Sequence, residues 1–446
     1  MGPADTIAAI ATAPGRAGIG VVRVSGPAVC VIAAGILGRT LPARVATLCD
    51  FLEAESAILD RGIAILFTAP HSYTGEDVLE LQGHGGLAVL QLVLRRCLDL
   101  GARPAQPGEF TQRAFLNDKL DLAQAESVAD LINASSEAAA RSAMRSLAGE
   151  FSDRVSQLNR ALIELRALVE AILDFPEEEI DLIERSGVLE KLSHLREGVT
   201  ALVAEAEQGR ILQDGAKVVL IGQPNVGKSS LMNRLAEEEV AIVTEIPGTT
   251  RDPLRYELAI EGVPLHVVDT AGLRDSTDAV EKIGIQRAWR EIHQADLALL
   301  VVDATLGISD VDLKILSELP DSLKKIYIFN KIDILGRESA ELQRMGVTEI
   351  WLSAKTGEGL DLLRAALLRC IGWQPTEEGT FSARERHVRA LRESEASLIR
   401  AANVSGSLEL IAEELRLAQH SFAQITGEFS ADDLLGEIFS RFCIGK

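Results

Sequence analysis

At 446 residues the chain is too long for one ordinary hydrophobic core, and two or three domains are expected. A hydrophobic fraction of 47% suits a folded chain, and no apolar run approaches the ~20 residues that span a bilayer. The net charge of −21 argues against non-specific adhesion to nucleic acid, so an RNA partner would need a local basic patch or a second protein. The start, Met1-Gly2-Pro3-Ala4-Asp5, has neither the basic nor the apolar region of a secretory signal. Five scattered cysteines (Cys30, Cys49, Cys97, Cys370, Cys443) lack C-x-x-C or metal-ligand spacing, which fits a reducing, cytoplasmic setting.

In the first 120 or so residues, Ile19-Gly20-Val21-Val22-Arg23-Val24 and Gly62-Ile63-Ala64-Ile65-Leu66-Phe67 read as strands and 87–98 as a helix. This predicts an α+β or mixed domain. Leu81-Gln82-Gly83-His84-Gly85-Gly86 is glycine-rich without dinucleotide-loop spacing, so a turn is expected there. A long helix follows, with an apolar seam at Val155, Leu158, Leu162, Leu165, Val169 and Ile172. Asp174-Phe175-Pro176 breaks it, and Glu177-Glu178-Glu179 reads as a solvated turn. A second seam runs through Val188, Leu192, Leu195, Val199 and Leu202. Gln208-Gly209-Arg210 then reads as leading toward the next strand.

The apolar run Val218-Val219-Leu220-Ile221 precedes Gly222-Gln223-Pro224-Asn225-Val226-Gly227-Lys228-Ser229, a phosphate-binding loop G-x-x-x-x-G-K-[ST], and a helix starts after it with Ser230. Its glycines let backbone N–H groups turn toward phosphates at a helix N-terminus. Lys228 would reach the β- and γ-phosphates and Ser229 would hold Mg²⁺. Four more signals follow in order. Gly248-Thr249-Thr250-Arg251-Asp252 offers Thr250 to Mg²⁺, and Asp269-Thr270-Ala271-Gly272 ends a strand beside the metal and γ-phosphate. In Asn330-Lys331-Ile332-Asp333, Asp333 can accept both the ring N–H and the exocyclic amine of guanine, donors that adenine lacks. Ser353-Ala354-Lys355 would offer an N–H to the guanine carbonyl. Five signals on five strand ends predict a GTP site.

Leu273 stands where Ras-like proteins carry the glutamine that orients the attacking water, so hydrolysis must use another group, ion or chain. Asn225 could help coordinate a monovalent cation beside the phosphates. Glu281 is a candidate water-positioning carboxylate, with a solvated charge at a helix start as its alternative. Beyond Ile371-Gly372-Trp373-Gln374-Pro375 the pattern is helical again through Leu391, Leu398, Leu408, Leu415 and Leu417. One helical domain interrupted by the α/β unit is expected; the seams are short for a coiled-coil stalk. Cys443, fourth from the end, is no prenylation box because the terminal Lys446 is atypical. It reads either as a small packing residue or as a functional thiol.

Several segments carry a family likeness: Asp5-Thr6-Ile7-Ala8, residues 75–86 from Gly75-Glu76-Asp77 to the glycine-rich run, Pro107-Gly108-Glu109-Phe110, residues 114–122, residues 414–419, Ile425-Thr426-Gly427-Glu428-Phe429, and above all the terminal Phe442-Cys443-Ile444-Gly445-Lys446. On these, the chain resembles the MnmE (TrmE) family of bacterial tRNA modification GTPases over essentially its whole length. The resemblance implies a multidomain protein. An N-terminal α+β domain (1–118) would bind formyl-tetrahydrofolate and dimerise. A discontinuous all-α helical domain (119–213 and 375–446) would enclose an inserted Ras-like α/β P-loop GTPase domain (214–374). It implies folate contacts from Arg23, Glu80, Lys119 and Lys446. It also implies K⁺ ligands at Asn225, Thr244, Ile246 and Thr249, and nucleotide contacts along Asn225, Val226, Gly227, Lys228, Ser229 and Ser230 and along Thr244, Glu245, Ile246, Pro247, Gly248, Thr249 and Thr250. Pro247 departs from some relatives. Glu281 would arrange the water, with Lys228 and Cys443 the other catalytic candidates. The implied activity is K⁺-stimulated GTP hydrolysis by a homodimer acting with MnmG (GidA) on the wobble uridine of tRNA. A ribosome-assembly GTPase would typically carry a basic RNA-binding module; a GTP-gated scaffold is the other rival.

Overall fold

The computed structural model describes residues 5–54, 56–173, 187–238, 255–269, 289–344, 346–374, 380–404, 407–427, 432–440 and 442–445. Its contacts form two compact units: Met1–Ala129 with Ser152–Asp174 and Gly406–Lys446, and Asp130–Phe151 with Phe175–Ser405.

The first unit is built on a six-stranded sheet among the described residues. Its strands are β1 (Ile7–Ile10), β2 (Ala17–Ser25), β3 (Thr47–Leu52), β4 (Ile58–Phe67), β5 (Val78–Gly85) and β6 (Arg103–Pro104), in the order β3-β4-β5-β2-β1-β6. Period-2 alternation sends Val22, Val24, Leu79 and Leu81 to one face, where helices Val29–Leu37 and Leu87–Asp99 bury them with Ile32, Ile36 and Val93. The expected strands and helix are present. The glycine-rich run is not a turn: β5 continues through it to Gly85. A side chain on Gly85 would press on the Ala17 and Ile19 carbonyls of β2, and one on Gly83 would strike the Asp60 carboxylate. Here glycine permits close strand approach rather than a reversal. In the helical part, Val155, Leu162, Leu165, Val169 and Ile172 are buried along helix Glu150–Leu173. Arg166 donates from this helix to Gln419 Oε1 (2.9 Å) on helix Leu408–Thr426. The breaker Asp174-Phe175-Pro176 and the glutamates 177–179 lie outside the described residues.

The second unit carries β7 (Ala216–Ile221), β8 (Arg255–Ile260), β9 (Val263–Asp269), β10 (Leu297–Asp303), β11 (Lys324–Asn330), β12 (Ala340–Arg344) and β13 (Val347–Trp351), in the order β12-β13-β11-β10-β7-β9-β8. The five inner strands are parallel, with β8 and β12 antiparallel at the edges. The central β10 is buried on both faces, which is why it reads as one apolar run, Leu297-Ala298-Leu299-Leu300-Val301-Val302. Helices Lys228–Glu238 and Leu360–Ile371 pack on one face through Leu231, Leu235, Leu363 and Leu367. Helix Val188–Asp214 runs through Gln208-Gly209-Arg210 and leads directly into β7, as expected. Glycine is required at position 209 because the Phe381 carbonyl lies where a side chain would be. The Gln208 side chain donates to the Gly372 carbonyl and accepts from the Gln374 N–H (both 2.9 Å).

Candidate functional site

The nucleotide candidates meet at the C-terminal ends of β7, β9, β10, β11 and β13, where an open parallel sheet presents its loops. Between Ile221 and the helix starting at Lys228 the backbone curls through Gly222 (φ +150°), Asn225 (φ +63°) and Gly227 (φ +104°). Both glycines are required by their neighbours. A side chain on Gly222 would collide with the Val301 carbonyl, and one on Gly227 with the Asn330 amide. Lys228 Nζ lies across the loop, donating to the carbonyls of Gly222 (2.7 Å) and Gln223 (3.1 Å). Ser229 and Ser230 occupy the exposed first turn of the helix. Asp269, 6% exposed, ends β9 beside Leu220 of β7, so the sheet register brings its carboxylate to the phosphate loop.

Asn330 joins three loops and is only 2% exposed. Its Nδ2 donates to the Val226 carbonyl (2.8 Å), while Oδ1 accepts the N–H groups of Lys331 (2.8 Å) and Ala354 (2.9 Å). The phosphate loop, N-K-x-D loop and S-A-K loop are thereby one structure, and the exposed Lys355 follows Ala354. The Ser353 hydroxyl donates to Asp333 Oδ1 (2.7 Å). A carboxylate has about four lone-pair sites, so Asp333 keeps capacity for two N–H donors. Sequence reasoning missed Asp303 at the end of β10, which accepts from Lys331 Nζ (2.6 Å). The available signal was a carboxylate closing an apolar strand of the same sheet. Thr244, Glu245, Ile246, Pro247, Gly248, Thr249, Thr250, Thr270, Ala271, Gly272, Leu273 and Glu281 lie outside the described residues.

The fold also brings most of the folate candidates to one region of the first unit. Arg23 on β2 and Glu80 on β5 are cross-strand partners, and Arg23 Nε (3.1 Å) and Nη2 (2.9 Å) both donate to Glu80 Oε1. The guanidinium also faces the rings of Tyr73 (5.4 Å) and Phe110 (5.7 Å). Tyr73 is fixed by a 2.8 Å bond between its hydroxyl and that of Thr111, and burial pushes its phenol above the ordinary value. The Lys119 stem lies against Gly75, two residues from Tyr73. The chain end arrives beside them. Gly108 N donates to Cys443 O (3.3 Å), Ile444 bridges to Pro107, and Gly445 abuts the Ile10 carbonyl next to Ala9, the register partner of Arg23. Cys443 is exposed, so it is not the packed small residue of the first alternative. Lys446 lies outside the described residues. Arg23, Glu80 and Lys119 suit a ligand with an amide-like heterocycle and carboxylates; the glycine-lined loop with Ser229 and Asp269 suits a Mg²⁺-bound polyphosphate.

Residues 6–119 match the family model described as GTP-binding protein TrmE N-terminus, and residues 122–443 that of the MnmE helical domain. The tRNA modification GTPase MnmE of Thiobacillus denitrificans is 58% identical over 442 residues, covering 99% of this chain and 98% of the relative. Its namesake in Nitrosomonas europaea is 57% identical, covering 99% of both chains. Among solved structures, the G domain of the Thermotoga maritima FeoB iron transporter is 28% identical, covering 35% of this chain and 98% of that one with a TM-score of 0.28. With near-complete coverage at such identity, and both family models matched in chain order, this chain belongs to the MnmE (TrmE) family of tRNA modification GTPases.

Proposed function

We propose that the protein is a K⁺-stimulated GTPase that acts as a homodimer with MnmG (GidA). Together they would add an aminomethyl or carboxymethylaminomethyl group at carbon five of the wobble uridine of tRNA, drawing the one-carbon unit from formyl-tetrahydrofolate. The observation carrying the nucleotide half is Asn330, whose three hydrogen bonds join the phosphate loop to both guanine-reading loops. Asp333 reads guanine, Lys228 neutralises the phosphates, and Ser229 with Thr250 and Asp269 holds Mg²⁺, which supplies charge stabilisation at the γ-phosphate. Asn225, with Thr244, Ile246 and Thr249, holds K⁺, and Glu281 arranges the attacking water in place of the glutamine replaced by Leu273. Arg23, Glu80, Lys119 and Lys446 hold the folate, and the exposed Cys443 beside them supports a direct part in the modification.

The corresponding organisation is a folate-binding and dimerisation domain (1–118), a helical domain in two parts (119–213 and 375–446) and a G domain (214–374). Among the described residues no helix is long and apolar enough to cross a membrane; with its acidic charge and dispersed thiols we infer cytoplasmic action, tRNA being engaged through the complex. Two measurements test the reading. GTP turnover is faster in K⁺ than in Na⁺ at equal ionic strength, and equal rates sink cation-assisted hydrolysis. In a deletion strain complemented with Cys443→Ser, wobble uridines stay unmodified while GTP turnover persists; full modification would remove Cys443 from the chemistry.

A further inference from the structure

Asp303 lies in none of the stretches that point to a nucleotide in the sequence. It is the last residue of β10, in parallel register with Asn330. Its side chain is 12% exposed, and both oxygens are engaged. Oδ1 accepts the Thr305 N–H (2.9 Å) and hydroxyl (2.6 Å); Oδ2 accepts from the Lys331 ammonium (2.6 Å). That ammonium also donates to the carbonyl of Asn225 (2.8 Å). Lys331 and Asn225 are both left-handed, with φ of +73° and +63°, a conformation that residues with side chains seldom adopt and that surrounding contacts must maintain. Burial pushes the Asp303 carboxyl up, but the hydrogen bonds from Lys331 and Thr305 outweigh it and hold the group below the ordinary value. It is therefore an anion at neutral pH.

We propose that Asp303 is a positioning residue for the GTP site. Through Lys331 it pins the Asn225 carbonyl, fixing the backbone from which Asn225 presents its side chain and tying the guanine loop to the phosphate loop. A neutral amide oxygen binds a monovalent cation usefully only when it is already aimed, because each freedom left to it is lost on binding. The cation half of this inference rests on the K⁺ reading above; the nucleotide half does not.

The test uses the full chain with Asp303→Asn, Lys331→Ala, the double variant, and Thr305→Val. Thr305→Val keeps the carboxylate and removes one bond that aims it. Stopped-flow release of fluorescently labelled GDP is measured, along with the K⁺ concentration that half-activates GTP turnover. Asp303→Asn releases labelled GDP about tenfold faster and raises the half-activating K⁺ by a similar factor, the scale of a charge-assisted bond. In the Lys331→Ala background the same change adds little, because Asp303 acts through that amine. Thr305→Val moves both readouts in the same direction by about two- to threefold, which keeps the inference testable if Asp303→Asn fails to fold. Wild-type GDP release in folded Asp303→Asn, or equal effects with and without the Lys331 amine, overturns the proposal. If wild-type turnover is the same in K⁺ and Na⁺, the cation half falls with the K⁺ reading, and the GDP-release cycle alone decides the nucleotide half.

Discussion

Asn330→Ala removes one donor and one acceptor that together satisfy the Val226 carbonyl and the N–H groups of Lys331 and Ala354. At 2% exposure, water cannot readily replace them. Three neutral hydrogen bonds at about 1 kcal/mol each set a floor near 3 kcal/mol, because buried partners left unsatisfied cost about 1–3 kcal/mol apiece. Part of that is lost as stability, because the bonds join segments of the folded chain itself. If about 2 kcal/mol falls on holding the three loops in binding geometry, affinity for GDP drops roughly thirtyfold. Calorimetric titration with GDP at fixed Mg²⁺ measures this, beside thermal unfolding without nucleotide. A variant that melts earlier but binds GDP within about twofold of wild type would refute the reasoning, because Asn330 would then support the fold and not the site.

Asp333→Asn exchanges an acceptor for a donor, so GTP binding falls by about 10² or more while a xanthine nucleotide, with a carbonyl in place of the amine, gains; competition between the two triphosphates reads this directly. The ion pairs of Asp5 and Glu109 with Arg103 and Arg113 make the first unit acid-sensitive. The Arg103 bond is the largest influence on Asp5 and holds it low; burial raises Glu109, but bonds from Arg103, the Gln106 N–H and Arg113 bring it below its ordinary value. Both depressions stabilise the fold above the ordinary values of 3.8 and 4.5, and the contribution is lost as pH falls through the lower folded values. Arg103→Met therefore reduces stability at neutral pH and flattens its loss on acidification between about pH 5 and pH 3, measured by urea unfolding at stepped pH.

The phosphate loop was legible because its chemistry is contiguous: Gly222, Gly227, Lys228 and Ser229 act within one turn of chain. Asp333 and Ser353 were legible because each follows a buried strand whose end is also the site. Asp303 was not, because a carboxylate closing an apolar strand is no motif until Lys331 and Asn225 are seen against it. Arg23 and Glu80 form a pair across 57 positions, and only family likeness singled them out. The glycines misled where they enable contact. Gly83 and Gly85 keep a strand close to its neighbours, although a glycine-rich run reads as a turn when its surroundings are unknown.

Gln208 gives the interrupted chain order a simple spatial meaning. The polypeptide leaves helix Val188–Asp214 to build the second sheet, and on its return Gly372 and Gln374 are held by a side chain of that same helix. The excursion closes on its own starting point. An insertion whose two ends meet leaves the host helices their packing, and it needs no long tether to carry a complete nucleotide-binding fold in the middle of a helical sequence.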